Sequence, residues 1–355
     1  MKIAAIAIII VLISIAAFAT LSLKPTNKHT LRIGVIAPLT GSDSIWGERI
    51  KQGVMLASQD KNTSIFFEDG KCDPKESLTA IQKLIEIDKV DALIGEACSS
   101  ATLAIAPIAQ ADEKILISPV STDPRIPRIG NMIFRNWYSN DIEMKKLSEV
   151  VSKLGYNRVG ILYTINEWGE NRKNIFKNNF NGTVLEEGHE KGASDLRTQL
   201  LKIKNSNVEA LILIQYTSDM ALTLKQMKEL DIILPIFATT TVEDPNFLQI
   251  TGNLSNGIIY ASPDIAISED FKKKYISIYH EEPHQTVATS YDAVNLLYDA
   301  FKNVGTDGQK ISKYLIGIKN YSGASGIFSF NSDGDVERIV IIRFIENQTT
   351  FVYSI

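Results

Sequence analysis

From Leu31 onward the chain alternates short apolar runs with segments of helical period, and that rhythm leaves few folds open. Leu31 to Ala37, Ser64 to Glu68, Ala92 to Gly95 and Lys114 to Ser118 read as strands. Continuous apolar stretches such as Ile115-Leu116-Ile117 predict strands covered on both faces. Between the strands, Gly47 to Gln59, Pro74 to Val90 and Ser99 to Ala111 carry helical spacing. Leu78, Ile81, Leu84 and Ile85, for example, fall on one face. Strand and helix taking turns in this way predict a parallel sheet with helices on both sides.

The rhythm restarts after Asn140. Helices are expected over Met144 to Leu154, Asn171 to Asn179, Leu196 to Lys204 and Ser218 to Leu230. Strands are expected over Arg158 to Tyr163, Thr183 to Glu187, Ala210 to Gln215 and Ile236 to Ala238. Asp270 to His280, Ser290 to Asn303 and Gln309 to Lys319 look helical, and the tail alternates like a hairpin around Asn347. The 355 residues suit two domains. With no low-complexity linker between the halves, several crossing strands are expected rather than one tether.

The N-terminus is built differently. Ile3 to Ala19 is apolar except for Ser14 and ends in Ala17-Phe18-Ala19, which fits a small-x-small cleavage site. The segment reads as a secretory signal or an uncleaved membrane anchor, and no cysteine follows it to carry a lipoprotein acyl chain. Export is expected either way, with membrane contact through this segment alone. The net charge of -4 supplies no basic field for nucleic acid.

Export bears on Cys72 and Cys98, each placed just beyond a strand. Neighbouring parallel strands would bring those ends together. In an oxidising compartment a disulfide is then expected, two buried thiols being the alternative.

Motifs for catalysis do not assemble. Gly41 and Gly47 are too far apart for a dinucleotide fingerprint. His280-Glu281-Glu282-Pro283-His284 matches a zinc-protease pattern in letters, but Pro283 would break the helix that must hold both histidines. The segment reads as a solvated turn, and the other histidines, His29 and His189, lie in polar segments. Gly323-Ala324-Ser325-Gly326 is one residue short of a nucleophile elbow. No enzyme activity, metal or cofactor is expected.

Binding fares better. Ser99 is placed to cap a helix whose N-terminal amides suit an anion. Thr122 follows the adjoining strand, and Trp46, Trp168 and Tyr216 are expected in loops after strands in both halves, where aromatic walls suit a ligand.

Here the chain resembles the Leu/Ile/Val-binding type of ABC-transporter solute receptors, over nearly all of residues 31–355. The likeness is carried by Cys72-Asp73-Pro74-Lys75, by Leu93 to Thr102, by Ile115 to Thr122, by Ala288 to Val294, and by Gly323 to Gly326 leading into Asp333-Gly334-Asp335. The resemblance implies two Rossmann-like α/β lobes joined by three crossovers, the type I periplasmic binding protein fold. Residues 31–139 with 264–338 would form one lobe, and 140–263 with 339–355 the other.

By the same resemblance Ser99 and Thr122 take a ligand carboxylate and the Val120 carbonyl takes an ammonium. Trp46, Trp168 and Tyr216 form walls, and a Cys72–Cys98 disulfide is implied. The amino-acid receptors carry a glutamate where Thr241 stands here, so Asp141 or Glu243 substitutes, or the ligand has no α-ammonium. The function implied is extracytoplasmic capture of an amino acid or other small acid or amide for an ABC-transporter permease. A sensor of the same fold is the alternative.

Overall fold

The computed structural model describes residues 29–353. The apolar run at Ile3 to Ala19 lies outside the described residues.

The apolar runs form two sheets because their side chains are covered from both sides. The first sheet holds β1 (Leu31–Ala37), β2 (Thr63–Asp69), β3 (Ala92–Gly95), β4 (Ile115–Ser118) and β5 (Ile133–Arg135). All are parallel, in the order β2-β1-β3-β4-β5. Every residue of β3 and β4 is buried. Three helices follow strands of this sheet: α1 (Ser44–Ser58), α2 (Pro74–Glu86) and α3 (Ser99–Ala111). Helix α2 starts where the chain signals it: the Asp73 side chain accepts from the Lys75 and Glu76 amides, and Pro74 follows. It ends at Glu86, short of the expected Val90, whose side chain is instead buried in the core.

The second sheet has the order β14-β13-β10-β9-β8-β6-β7. Strands β6 (Arg158–Thr164), β7 (Thr183–His189), β8 (Ala210–Ile214), β9 (Ile236–Ala238) and β10 (Ile259–Pro263) pair in parallel. Helices α4 (Asn140–Lys153), α5 (Glu167–Asn179), α6 (Arg197–Lys204), α7 (Thr217–Glu229) and α8 (Pro245–Thr251) accompany them. Ile161 and Ile212 face one apolar cluster with Met144 and Phe176, while Leu162 and Leu211 face another with Leu200 and Met220.

The chain then returns to the first sheet. Helices α9 (Glu269–Tyr279), α10 (Gln285–Val304) and α11 (Gly308–Gly317) follow, and Leu296 and Leu297 of α10 join the core of that sheet. A small hairpin, β11 (Tyr321–Gly323) with β12 (Gly326–Phe328), precedes the last passage. Strands β13 (Val340–Glu346) and β14 (Thr349–Val352) close the second sheet as an antiparallel hairpin turning at Asn347 and Gln348. The chain thus passes between the sheets three times, after β5, after β10 and before β13. Buried Arg338, in the last passage, ties it to the first by donating to the Asn136 carbonyl oxygen (3.2 Å), and also donates to that of Ser325 (2.8 Å).

Cys72 and Cys98 are joined in a disulfide with Cα atoms 5.2 Å apart. The strands they follow are not neighbours as expected, because β1 lies between β2 and β3. The segment after β2 reaches across the end of β1, where the Gly70 amide donates to the Ala37 carbonyl at 2.9 Å.

Candidate functional site

The carboxyl ends of both sheets converge on one cavity of about 310 Å³, the place where open α/β sheets gather ligands. Its lining comes from the segments after β1, β3 and β4 on one side and after β6, β7, β8 and β9 on the other.

One end is built from donors. Ser99 is the first residue of α3 and Cys98 holds the cap position, so Ser99 does not cap the helix as expected. Its Oγ accepts instead from the Thr122 amide at 3.3 Å. Ser99 and Thr122 are both buried. The Thr122 hydroxyl has no partner among the described residues, although buried hydroxyls nearly always find one. Val120 lines the same end.

Beneath it, the carboxylate of Glu96 accepts from the amides of Cys98 (2.9 Å) and Cys72 (3.3 Å). The Glu96 carbonyl oxygen accepts from the hydroxyls of Thr102, Ser118 and Ser121. This web holds the start of α3 against the segment after β4.

The aromatic walls follow a shared device. Trp46 and Trp168 lie in the first turns of α1 and α5 rather than in loops, and each precedes a glycine. A Cβ on Gly47 would sit 2.0 Å from the Pro38 carbonyl oxygen, and one on Gly169 would sit 2.0 Å from that of Thr164. Only glycine lets either helix start this close to the strand before it, which brings the preceding tryptophan to the cavity. Trp168 stacks on Tyr216 with centroids 4.9 Å apart. Trp46 meets the His284 ring edge-on at 5.5 Å.

The structure therefore brings Trp46, Ser99, Val120, Thr122, Trp168, Tyr216 and Thr241 to one cavity. Thr241 contributes surface more than a free hydroxyl, since its Oγ1 donates to the Gln215 carbonyl at 2.9 Å. Asp141 does not line the cavity: in the first turn of α4 its carboxylate accepts from the Ser139 hydroxyl. Glu243 is also elsewhere, accepting from the hydroxyls of Tyr260 (3.0 Å) and Ser262 (2.8 Å).

The charged lining is instead Asp43, Arg172, Lys191 and Asp244, none of which the sequence singled out. Lys191 Nζ pairs with Asp43 at 2.5 Å and lies over the Tyr216 ring at 4.4 Å. Arg172 pairs with wholly buried Glu143 at 3.0 Å. Asp244 caps α8 by accepting from the Asn246 amide; the buried Arg49 guanidinium is near enough to feel its charge without forming a direct ion pair with it. Arg172 carried a signal, a positive charge one turn after Trp168 on the same helix.

His280 closes α9 in a left-handed conformation (φ 58°), whereas His284 opens α10 by accepting from the Thr286 amide at 3.0 Å. The two histidines thus belong to different helices. Pro283 is buried and the partly buried His284 ring packs on Trp46, so the segment is not simply a solvated turn. His189 is buried between Gln215 and the Glu190 carbonyl, despite its polar sequence neighbours. The Ser325 hydroxyl donates to Asp292 at 2.6 Å in a buried structural contact.

A family model described as periplasmic binding protein matches residues 30–346. The chain is 22% identical over 346 residues to the leucine-, isoleucine-, valine-, threonine- and alanine-binding protein of Pseudomonas aeruginosa, covering 91% of each chain. In structure it is similar to the leucine-binding protein LivK of Thermotoga maritima. The TM-score is 0.85 at 25% identity, covering 91% of this chain and 98% of that one. The isoleucine complex of LivJ from Streptococcus pneumoniae gives a TM-score of 0.82 at 24% identity, covering 92% and 99%.

Proposed function

The chain belongs to the periplasmic binding protein family, and on that premise we propose that it is the extracytoplasmic receptor of an ABC transporter, handing a small carboxylate ligand to a permease. In this reading residues 31–139 with 264–338 form one lobe and 140–263 with 339–355 the other. The cavity between them closes on the ligand by hinge motion. No chemistry is performed on the ligand, because binding and release suffice.

The observation that carries the reading is the buried, unpartnered hydroxyl of Thr122 beside Ser99 and the start of α3. A carboxylate there accepts from the Thr122 and Ser99 hydroxyls and from the first amides of the helix. Charge-assisted hydrogen bonds of this kind are worth about 1.5–3 kcal/mol each, and the positive end of the helix adds to them. Trp46, Trp168 and Tyr216 cover the rest of the ligand and exclude water. An α-ammonium, where the ligand has one, is held by the Val120 carbonyl and by Asp244, which supplies the negative charge that Thr241 lacks.

The test is Ser99→Ala with Thr122→Ala, measured by calorimetry against leucine, asparagine and simple carboxylic acids. Affinity should fall by about 100-fold or more, with the melting transition close to that of the parent. Unchanged affinity would remove the anion site and the reading with it.

A further inference from the structure

The cavity wall opposite the anion end contains a guanidinium that is held in place but not fully used. Arg172 lines the cavity and is 1% exposed. Its Nε donates to Glu143 Oε2 at 3.0 Å, and Nη2 lies 3.0 Å from the same oxygen. The guanidinium carbon lies 4.4 Å over the Trp168 ring, which fixes the plane of the group. Nη1 is buried and has no hydrogen-bond partner among the described residues.

Its nearest polar neighbours are Tyr138 and Glu143; the Tyr138 hydroxyl lies close enough to feel the guanidinium, but neither side chain bonds Nη1 with normal geometry. The Tyr138 hydroxyl is 2.8 Å from Thr240 Oγ1, and the second Glu143 oxygen accepts from the Thr240 amide at 3.4 Å. The other cation of this wall, Lys191, is paired with Asp43. A buried guanidinium N–H left without an acceptor is costly, and more so in a dry cavity than in water.

We propose that Arg172 is a ligand-binding residue whose Nη1 donates to an oxygen acceptor at the far end of the ligand. The ligand class is then a small carboxylate bearing a second acceptor, such as a side-chain amide or carboxylate, rather than a purely aliphatic acid. This rests on the anion-site reading above and adds the polarity of the other end. Glu143 neutralises the guanidinium from behind, so a neutral amide oxygen satisfies Nη1 as well as a second carboxylate does. Arg172 also presents its ring-stacked face to Trp168, so the wall is amphipathic: aromatic along the ligand, donating at its tip. A site built around an unfilled donor discriminates strongly against an isostere lacking the acceptor, because the buried group then stays unpaired.

The test uses pairs matched in shape in which a primary amide, bearing that acceptor, replaces an isopropyl group: asparagine against leucine, and succinamate against 4-methylpentanoate. Calorimetry on the parent should give each amide at least about tenfold tighter binding than its aliphatic partner. Arg172→Met should lose that ratio while leaving the aliphatic partner's affinity near its parent value. Because Arg172→Met strands buried Glu143, the double variant Glu143→Gln with Arg172→Met is measured beside it and should show the same loss in a stably folded protein. Leucine and 4-methylpentanoate binding as tightly as their amides, or a ratio that survives both variants, overturns the assignment of Arg172 and leaves the anion site standing. Failure of all four compounds to bind overturns both.

Discussion

Glu96 is wholly buried, and its carboxylate holds the amides of Cys72 and Cys98, the two halves of the disulfide beside the Ser99 and Thr122 end of the cavity. Burial, the largest influence, pushes its carboxyl up from 4.5 to about 7, against the downward pull of the amides that donate to it. A group whose folded value is raised gives stability that is fully present below its unfolded value and lost as pH climbs through the folded one. Stability should therefore decline between about pH 4.5 and 7 by on the order of 3 kcal/mol from this residue alone. Asp292 shifts the same way, to about 6, and burial raises Glu143 and Glu243 as well. The contribution of Glu96 is isolated by comparing melting curves of the parent and Glu96→Gln from pH 5 to 8. The variant should show a shallower fall in Tm, and parallel profiles would mean that Glu96 does not titrate in this window.

At the scale of elements, the Cys72–Cys98 bond ties the segment after β2 to the first residue before α3, across the end of β1. It closes a loop with a sequence separation of 26, for which chain entropy gives about 3–4 kcal/mol. Cys72→Ser with Cys98→Ser should lower the urea midpoint accordingly. It should also weaken carboxylate binding several-fold by loosening the residue that precedes Ser99. A midpoint within error of the parent would assign the frame to the Glu96 hydrogen bonds instead.

The long elements were legible from periodicity, because a strand such as β4 has apolar side chains on both faces and nothing else to satisfy. Strand β5 was not, being three residues long and ending in Arg135. That charge is tolerable in a strand only because it meets Asp335, 200 positions away. Strand β10 was missed as well; it ends at Pro263, where the backbone has no N–H to offer a ladder. The site divides on the same principle. Ser99, Thr122 and the aromatic residues sit at fixed offsets from strand ends, so local pattern revealed them. Asp43, Arg172, Lys191 and Asp244 belong to loops and helix turns where charge ordinarily means solvent. Their place at the cavity is set by how the two sheets face each other, which no local window contains.

At the scale of the whole molecule, two ion pairs among the described residues join the segments beside one sheet to those beside the other: Lys191 with Asp43, and Arg125 with Glu167, each at 2.5 Å. Arg125 and Glu167 are half exposed and line no part of the cavity, so under the proposed hinge motion their pairing would act on closure rather than on ligand contact. Exposed pairs contribute between 0 and about 1 kcal/mol and weaken as salt rises. If closure traps the ligand, removing such a pair should speed its escape without changing how it first lands on one lobe. Glu167→Gln should therefore raise the dissociation rate of asparagine or leucine, whichever binds, by about two- to fivefold, with the association rate unchanged. Rising salt should produce the same shift in the parent but a smaller one in the variant. Stopped-flow tryptophan fluorescence reads both rates, because Trp46 and Trp168 stand on opposite walls of the cavity. A dissociation rate unaffected by Glu167→Gln would show that the pair closes no latch, leaving ligand contacts and the three chain passages to set how long the lobes stay shut.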